Sequence, residues 1–143
     1  MDPARRASRQ HRRGAAVVEF AVVAPVFFLF VFGMIEFGRM VMVQQIITNA
    51  AREGARVAIL SGATTSQVTT KVGNYLSAGS ISGATTTVNP DPPSGATYGS
   101  SVTVTVSVPF KSVSWTPAPF FLGSATLQAQ CVMRTEQSGG SGS

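Results

Sequence analysis

Three patterns of apolar and polar positions follow one another along the chain. Residues 15–35, AAVVEFAVVAPVFFLFVFGMI, are apolar almost throughout, and residues 20–35 carry no charge at all. With Glu19 tolerated, this stretch has the ~20 residues a helix needs to cross a bilayer. In residues 36–60, EFGRMVMVQQIITNAAREGARVAIL, charges return as Glu36, Arg39, Arg52, Glu53 and Arg56, proline is absent and good helix formers abound. This predicts that the helix continues, now amphipathic and out of the membrane, as one element over 15–60. Pro25 removes one backbone hydrogen bond and is expected to bend it.

After Leu60 the composition turns to Ser, Thr, Gly and Val. Residues 66–77, SQVTTKVGNYLS, predict a short helix with Val68, Val72, Tyr75 and Leu76 inward. Residues 101–108, SVTVTVSV, alternate strictly, so that Val102, Val104, Val106 and Val108 share one face of a half-buried strand ended by Pro109. Residues 84–88, ATTTV, are expected to pair with it, and 89–95, NPDPPSG, to turn. A third strand is expected at 125–134, ATLQAQCVMR, with Leu127, Ala129, Cys131 and Met133 on one face, which makes Cys131 a small core hydrophobe. The fold class is therefore α+β: a long N-terminal helix followed by a small antiparallel β-sheet domain. The expected divisions are a basic leader at 1–14, the helix at 15–60 (about 15–36 in the membrane), a small α+β domain at 61–136 and a flexible Gly/Ser tail at 137–143. Such a small domain has a marginal core and should lean on the long helix or on neighbouring subunits. The segment 114–123, SWTPAPFFLG, is either a packed cover for the sheet, the commoner outcome, or a contact loop.

Charge narrows the function classes. Five of the eleven basic residues, Arg5, Arg6, Arg9, Arg12 and Arg13, lie in the first fourteen positions with only Asp2 against them; the remainder carries six basic and five acidic residues, a net charge of +1. A basic tail abutting an apolar run is the cytoplasmic flank of a membrane helix rather than a nucleic-acid site. The single cysteine, Cys131, excludes an intramolecular disulfide, and the only histidine, His11, lies in the tail. Clustered titratable groups of the kind general acid–base or metal chemistry requires are not evident, so no catalytic residue, metal or cofactor is expected.

Within the helix, Ala50, Gly54 and Ala58 recur every fourth residue with Ala51 and Ala55 beside them. Small residues at this spacing permit close approach, either to other helices or to the chain's own domain. Glu36 with Arg39 and Glu53 with Arg56 are spaced i to i+3, which supplies only tenths of a kcal/mol.

The carboxylate of Glu19 is the anomaly: it interrupts the apolar stretch, five residues after Gly14 and close behind the arginines. A short basic leader ending in Gly, followed by an apolar span with Glu at its fifth position, resembles a prepilin-type signal. Gly14 would end the leader, Ala15 begin the mature chain and Glu19 fall fifth; Phe20 occupies the sixth position, where small Flp-type pilins have Tyr. The match extends through Gly14-Ala-Ala-Val-Val-Glu19-Phe20, Pro25, Glu36-Phe-Gly-Arg39 and Asn49-Ala-Ala-Arg-Glu-Gly-Ala-Arg56. These motifs, over about residues 12–60, resemble the TadE-like family, the minor pilins or pseudopilins of tight-adherence pilus systems. The resemblance implies a prepilin peptidase cutting after Gly14, other pilins or pseudopilins and an inner-membrane assembly platform as partners, and contact with membrane lipid but not nucleic acid. It implies a single-pass protein of the bacterial inner membrane with a cytoplasmic N-terminus and an extracytoplasmic domain. Its role would be assembly or initiation of a pilus, not catalysis. The alternative is an uncleaved single-span protein with an extracytoplasmic binding domain. A secreted protein with an ordinary signal peptide is a weaker rival, since no clean small-x-small cleavage site appears near 35–40.

The resemblance also supplies a physical role for Glu19. Cleavage creates an α-ammonium one turn away, and a first-turn carboxylate is favoured by the helix dipole. An acid at membrane depth costs several kcal/mol when alone. Pairing with the ammonium of a neighbouring subunit would relieve that cost and set axial register. The simpler reading is that Glu19 reaches the interface by itself.

Overall fold

The computed structural model describes residues 3–115 and 121–135, with side-chain surroundings from Ala16 onward. In chain order it contains α1 (Pro3–Ala58), α2 (Thr65–Ala78), β1 (Thr85–Asn89), β2 (Ser101–Pro109) and β3 (Thr126–Arg134), with short 3₁₀ turns at Pro93–Gly95 and Phe110–Ser112. The architecture is a long N-terminal apolar helix plus a three-stranded antiparallel sheet, the α+β arrangement expected. Two compact units divide the chain, Met1–Ile35 and Glu36–Ser143.

In the first unit, α1 begins at Pro3, well before residue 15, because the Arg, Ala and Gln of the tail are themselves good helix formers and proline suits a first helical position. The helix continues through Pro25. Apart from the half-buried Val31, its large side chains from Val17 to Ile35 are exposed, Val26 and Phe30 by about two thirds (66% and 67%). They cover every side of the helix rather than one stripe, the pattern of a helix meant for an apolar surrounding. Among the described residues there is one helix long and apolar enough to cross a membrane.

The second unit starts at Glu36, not at residue 61, because the second half of α1 is part of its core. The buried positions Glu36, Arg39, Val43, Ile47, Ala50, Ala51, Ala55 and Ala58 recur at spacings that keep them on one helical face. That face joins Val68, Val72 and Leu76 of α2 and Val102, Val104, Val106 and Val108 of β2 in a single hydrophobic cluster. Fully burying each such side chain contributes about 1.5–3 kcal/mol. Gln44 adds a tether by donating from its side-chain amide to the Gln128 carbonyl of β3 at 2.9 Å.

The small helix starts where its chemistry directs. Thr64 caps it by accepting from the Gln67 N–H, while the Gln67 side chain accepts from the Thr64 N–H. This reciprocal pair satisfies two of the donors a helix start leaves orphaned. Val68, Val72 and Leu76 are buried as expected, but Tyr75 is 37% exposed. It lies at the margin of the stripe, where its phenol remains accessible to water.

The sheet order is β1-β2-β3, with both pairs antiparallel. β2 is central, which is why its alternation is the cleanest in the chain: its four valines are buried and Pro109 is its last residue. β3 presents the expected face, but only Leu127 and Ala129 are buried; Cys131 and Met133 are half-buried against the core. As an edge strand, β3 has a sheet neighbour on one side only, and the far end of its inward face receives less cover.

Candidate processing and assembly site

The expected processing residues Gly14 and Ala15 lie within α1, and their side-chain surroundings fall outside the described residues. Glu19 and Phe20 follow on the exposed part of the helix. Ala16, Glu19, Phe20 and Val23 line a shallow depression along one side, as residues spaced by three and four must. Phe20 is among the most exposed of the large apolar side chains. No described residue pairs with the Glu19 carboxylate. A carboxylate in apolar company is a charge whose partner has to come from elsewhere or from the solvent boundary.

The second pair of motif charges has a different setting. Glu36 and Arg39 are 2% and 5% exposed. The Glu36 carboxylate accepts from the Phe121 backbone N–H at 3.1 Å. The Arg39 guanidinium donates through Nε to the Val113 carbonyl at 2.7 Å, donates through Nη1 to the Met42 sulfur at 3.6 Å, and lies over the Trp115 ring 4.9 Å from its centroid. The two residues are thus long-range tethers between α1 and the segment that follows β2. Sequence spacing had suggested only a local i to i+3 pair. The one signal of a larger role was their position among apolar residues, where a solvated pair would have no reason to sit. Hydrogen bonds to charged groups contribute about 1.5–3 kcal/mol, and removing one member leaves the buried charge uncompensated.

Residues 49–56 divide into two faces. Ala50, Ala51, Gly54 and Ala55, with Ala58 beyond them, are buried in the chain's own domain. A Cβ added to Gly54 would stand 2.6 Å from Val72 Cγ2 and 3.2 Å from Val104 Cγ1, so α1 meets α2 and β2 there at glycine distance. Arg52, Glu53 and Arg56 lie on the other face. Arg56 pairs with Glu53 at 3.5 Å in a largely exposed bridge, and Arg52 donates to the Asn49 side chain at 3.4 Å. Such surface contacts contribute tenths of a kcal/mol. Among the described residues, no three His, Cys, Asp or Glu side chains stand together as a metal site would require.

Residues 14–56 match the family model described as TadE-like protein. This segment is TadE-like. The matched segment opens on Gly14 and closes on Arg56, so it contains the exposed carboxylate, the two tethers and the small-residue face, while α2 and the sheet lie outside it. The match covers 43 of the chain's 143 residues. No curated protein matches the chain, and no solved structure does either. A membrane protein fits both the TadE-like match and the apolar helix near the N-terminus.

Proposed function

We propose that this chain is a minor pilin, or pseudopilin, acting in assembly or initiation of a tight-adherence pilus or a related secretion apparatus. Residues 1–14 form a cytoplasmic leader that a prepilin peptidase removes after Gly14. Residues 15 to about 36 anchor the mature chain in the inner membrane, and the domain beyond works on the extracytoplasmic side. The observation that carries this reading is the placement of Glu19, the one charged residue in the exposed apolar stretch 16–35 of α1, inside a TadE-like segment that begins at Gly14. The ammonium freed on Ala15 of a neighbouring pilin supplies the missing counter-charge when subunits pack. Other pilins and the inner-membrane assembly platform are the partners this implies.

Mass spectrometry of the mature N-terminus, combined with co-purification of partner pilins, tests the reading. Wild type should begin at Ala15. Gly14→Leu should leave the full-length chain in the membrane, because the family's peptidase takes Gly at the cut. Glu19→Ala should be cut normally yet co-purify with partners at least about tenfold less well, the equivalent of ~1.4 kcal/mol. A wild-type chain that keeps its arginines favours the uncleaved single-span alternative. Normal assembly by a cleaved Glu19→Ala variant reduces Glu19 to an interfacial charge.

A further inference from the structure

We propose that the cavity beside Arg39 binds the carboxylate of a peptide. Its volume is about 500 Å³, inside the range of about 300–1,000 Å³ usual for small-ligand sites, and its lining residues all belong to the Glu36–Ser143 unit. Arg39 of α1, Ala78 and Ser80 at the end of α2, and Ser112 and Trp115 after β2 border it. Arg39 is the feature that points to a ligand, because it is almost wholly buried and lacks a counter-charge. The Glu36 carboxylate is turned to the Phe121 N–H, and no described carboxylate forms an ion pair with Arg39. A buried charge left without an opposite one is costly, and a ligand that supplies it relieves that cost.

The bonds the guanidinium already makes specify what it can still take. Nε donates to the Val113 carbonyl at 2.7 Å and Nη1 to the Met42 sulfur at 3.6 Å, while the Trp115 ring centroid lies 4.9 Å away. Nη2 has no acceptor among the described residues. No enclosed side-chain nitrogen or oxygen there lacks a partner, so Nη2 must be open, and the cavity is where it opens. The planar edge formed by Nη1 and Nη2 is thus fixed in direction and available, a fork that holds a carboxylate through two parallel bonds. Ser80 brings a hydroxyl able to donate to the same group. The end of α2 narrows the ligand further. The Gly79 N–H donates to the Tyr75 and Leu76 carbonyls and the Ser80 N–H to that of Ser77, but no described bond reaches the carbonyls of Ala78 or Gly79. A helix C-terminus carries partial negative charge, which disfavours a phosphate dianion and favours a single charge flanked by N–H donors. A carboxylate carried on a peptide has both, whether it ends the chain or belongs to an acidic side chain.

Equilibrium dialysis of the full chain in detergent micelles measures the binding, and Trp115, the only tryptophan, reports from beside Arg39. The probes are N-acetyl-trialanine with a free carboxylate, the same peptide amidated, N-acetyl-Ala-Asp-Ala amide and inorganic phosphate. The free acid should bind at least about tenfold more tightly than the amide or phosphate, with a saturable change in Trp115 emission. Whichever of the two acidic peptides binds more tightly identifies the source of the carboxylate as a chain end or a side chain. Equal binding of acid and amide, tighter binding of phosphate, or no retention of any peptide overturns the proposal. Ala78→Glu sets a carboxylate at the cavity while leaving Arg39 in place, and should weaken binding of the free acid at least about tenfold. Ala78→Gln, of the same shape and neutral, should stay within about twofold of wild type. Arg39→Lys keeps the charge but loses the fork and should also weaken binding at least about tenfold. Because Arg39 ties α1 to the segment after β2, the Ala78 pair carries the test if Arg39→Lys does not fold. Equal losses in Ala78→Glu and Ala78→Gln, or full binding by a folded Arg39→Lys variant, overturn the carboxylate site.

Discussion

Residues 16–35 and residues 36–58 belong to one helix, both are rich in apolar residues, and they meet opposite surroundings. In the first stretch large side chains such as Val26 and Phe30 are exposed; in the second, Val43 and Ile47 are completely buried. The difference lies in arrangement. The first stretch is apolar on all sides and has no polar face, whereas the second turns one stripe of apolar and small residues into the core, leaving Phe37, Val41, Met42 and most of its charges outside it. Even the charges follow the division. Glu19 stands without a described partner, while Glu36 and Arg39 each hold a backbone group of a distant segment. One α-helix is therefore exposed along its first stretch and packed along its second, and the change falls where the first carboxylate after the apolar run is taken into the domain.

The strongest way to break this comparison is to remove the same kind of apolar bulk from both stretches. Ile47→Ala should destabilise the domain by about 2–5 kcal/mol, as for a large-to-small change in a packed core. Phe30→Ala should leave its unfolding within about 0.5 kcal/mol of wild type, since no domain packing is lost. Denaturant unfolding of the full chain in detergent micelles, followed by Trp115 fluorescence, measures both; equal losses would refute the division.

Two glycines of α1 sharpen it further. Gly54→Ala should destabilise by about 1–3 kcal/mol, because the new Cβ meets the stiff Val72 side chain at 2.6 Å and the resulting overpacking exceeds the ~1 kcal/mol gained in helix propensity. Gly38→Ala, with nothing within 4 Å of the new Cβ, should instead stabilise by about 0.5–1 kcal/mol. Opposite shifts in the same unfolding measurement are expected, and a stabilising Gly54→Ala would mean that close approach at Gly54 is not what excludes a side chain there.

The smallest effect belongs to the exposed pair. Arg56→Ala should change stability by less than about 0.5 kcal/mol at low salt, and the difference should vanish at ~1 M salt, where screening is complete within a few ångströms. A larger or salt-insensitive loss would show that Arg56 acts through more than Glu53.

Elements governed by local rules were legible from the chain itself. The strict alternation at 101–108 specified β2 and its buried valines, because a strand's side chains alternate whatever surrounds it. The apolar run announced a helix able to cross a membrane, and the Gly14–Glu19 spacing, read with the arginines, pointed to the TadE-like segment. The short helix expected at 66–77 did not include its capping pair, Thr64 and Gln67, although a T-x-x-Q before an apolar stripe is a local signal. Helix propensity alone accounts for α1 running back to Pro3.

What lay beyond the sequence was every choice between two partners of equal local merit. The small-residue face of Ala50, Gly54 and Ala58 suits another subunit's helix as well as its own domain; α2 and β2 decide by lying at glycine distance. Glu36 and Arg39 look like a local pair, yet their bonds run to residues 85 and 74 positions away, a relation that no spacing rule encodes. Cys131 sits on the face its alternation indicates but only half-buried, because the depth of cover depends on β3 being at the sheet edge. Periodicity says which way a side chain points. Only the packed chain determines what it meets there, since burial and hydrogen bonding are properties of pairs brought together across the fold.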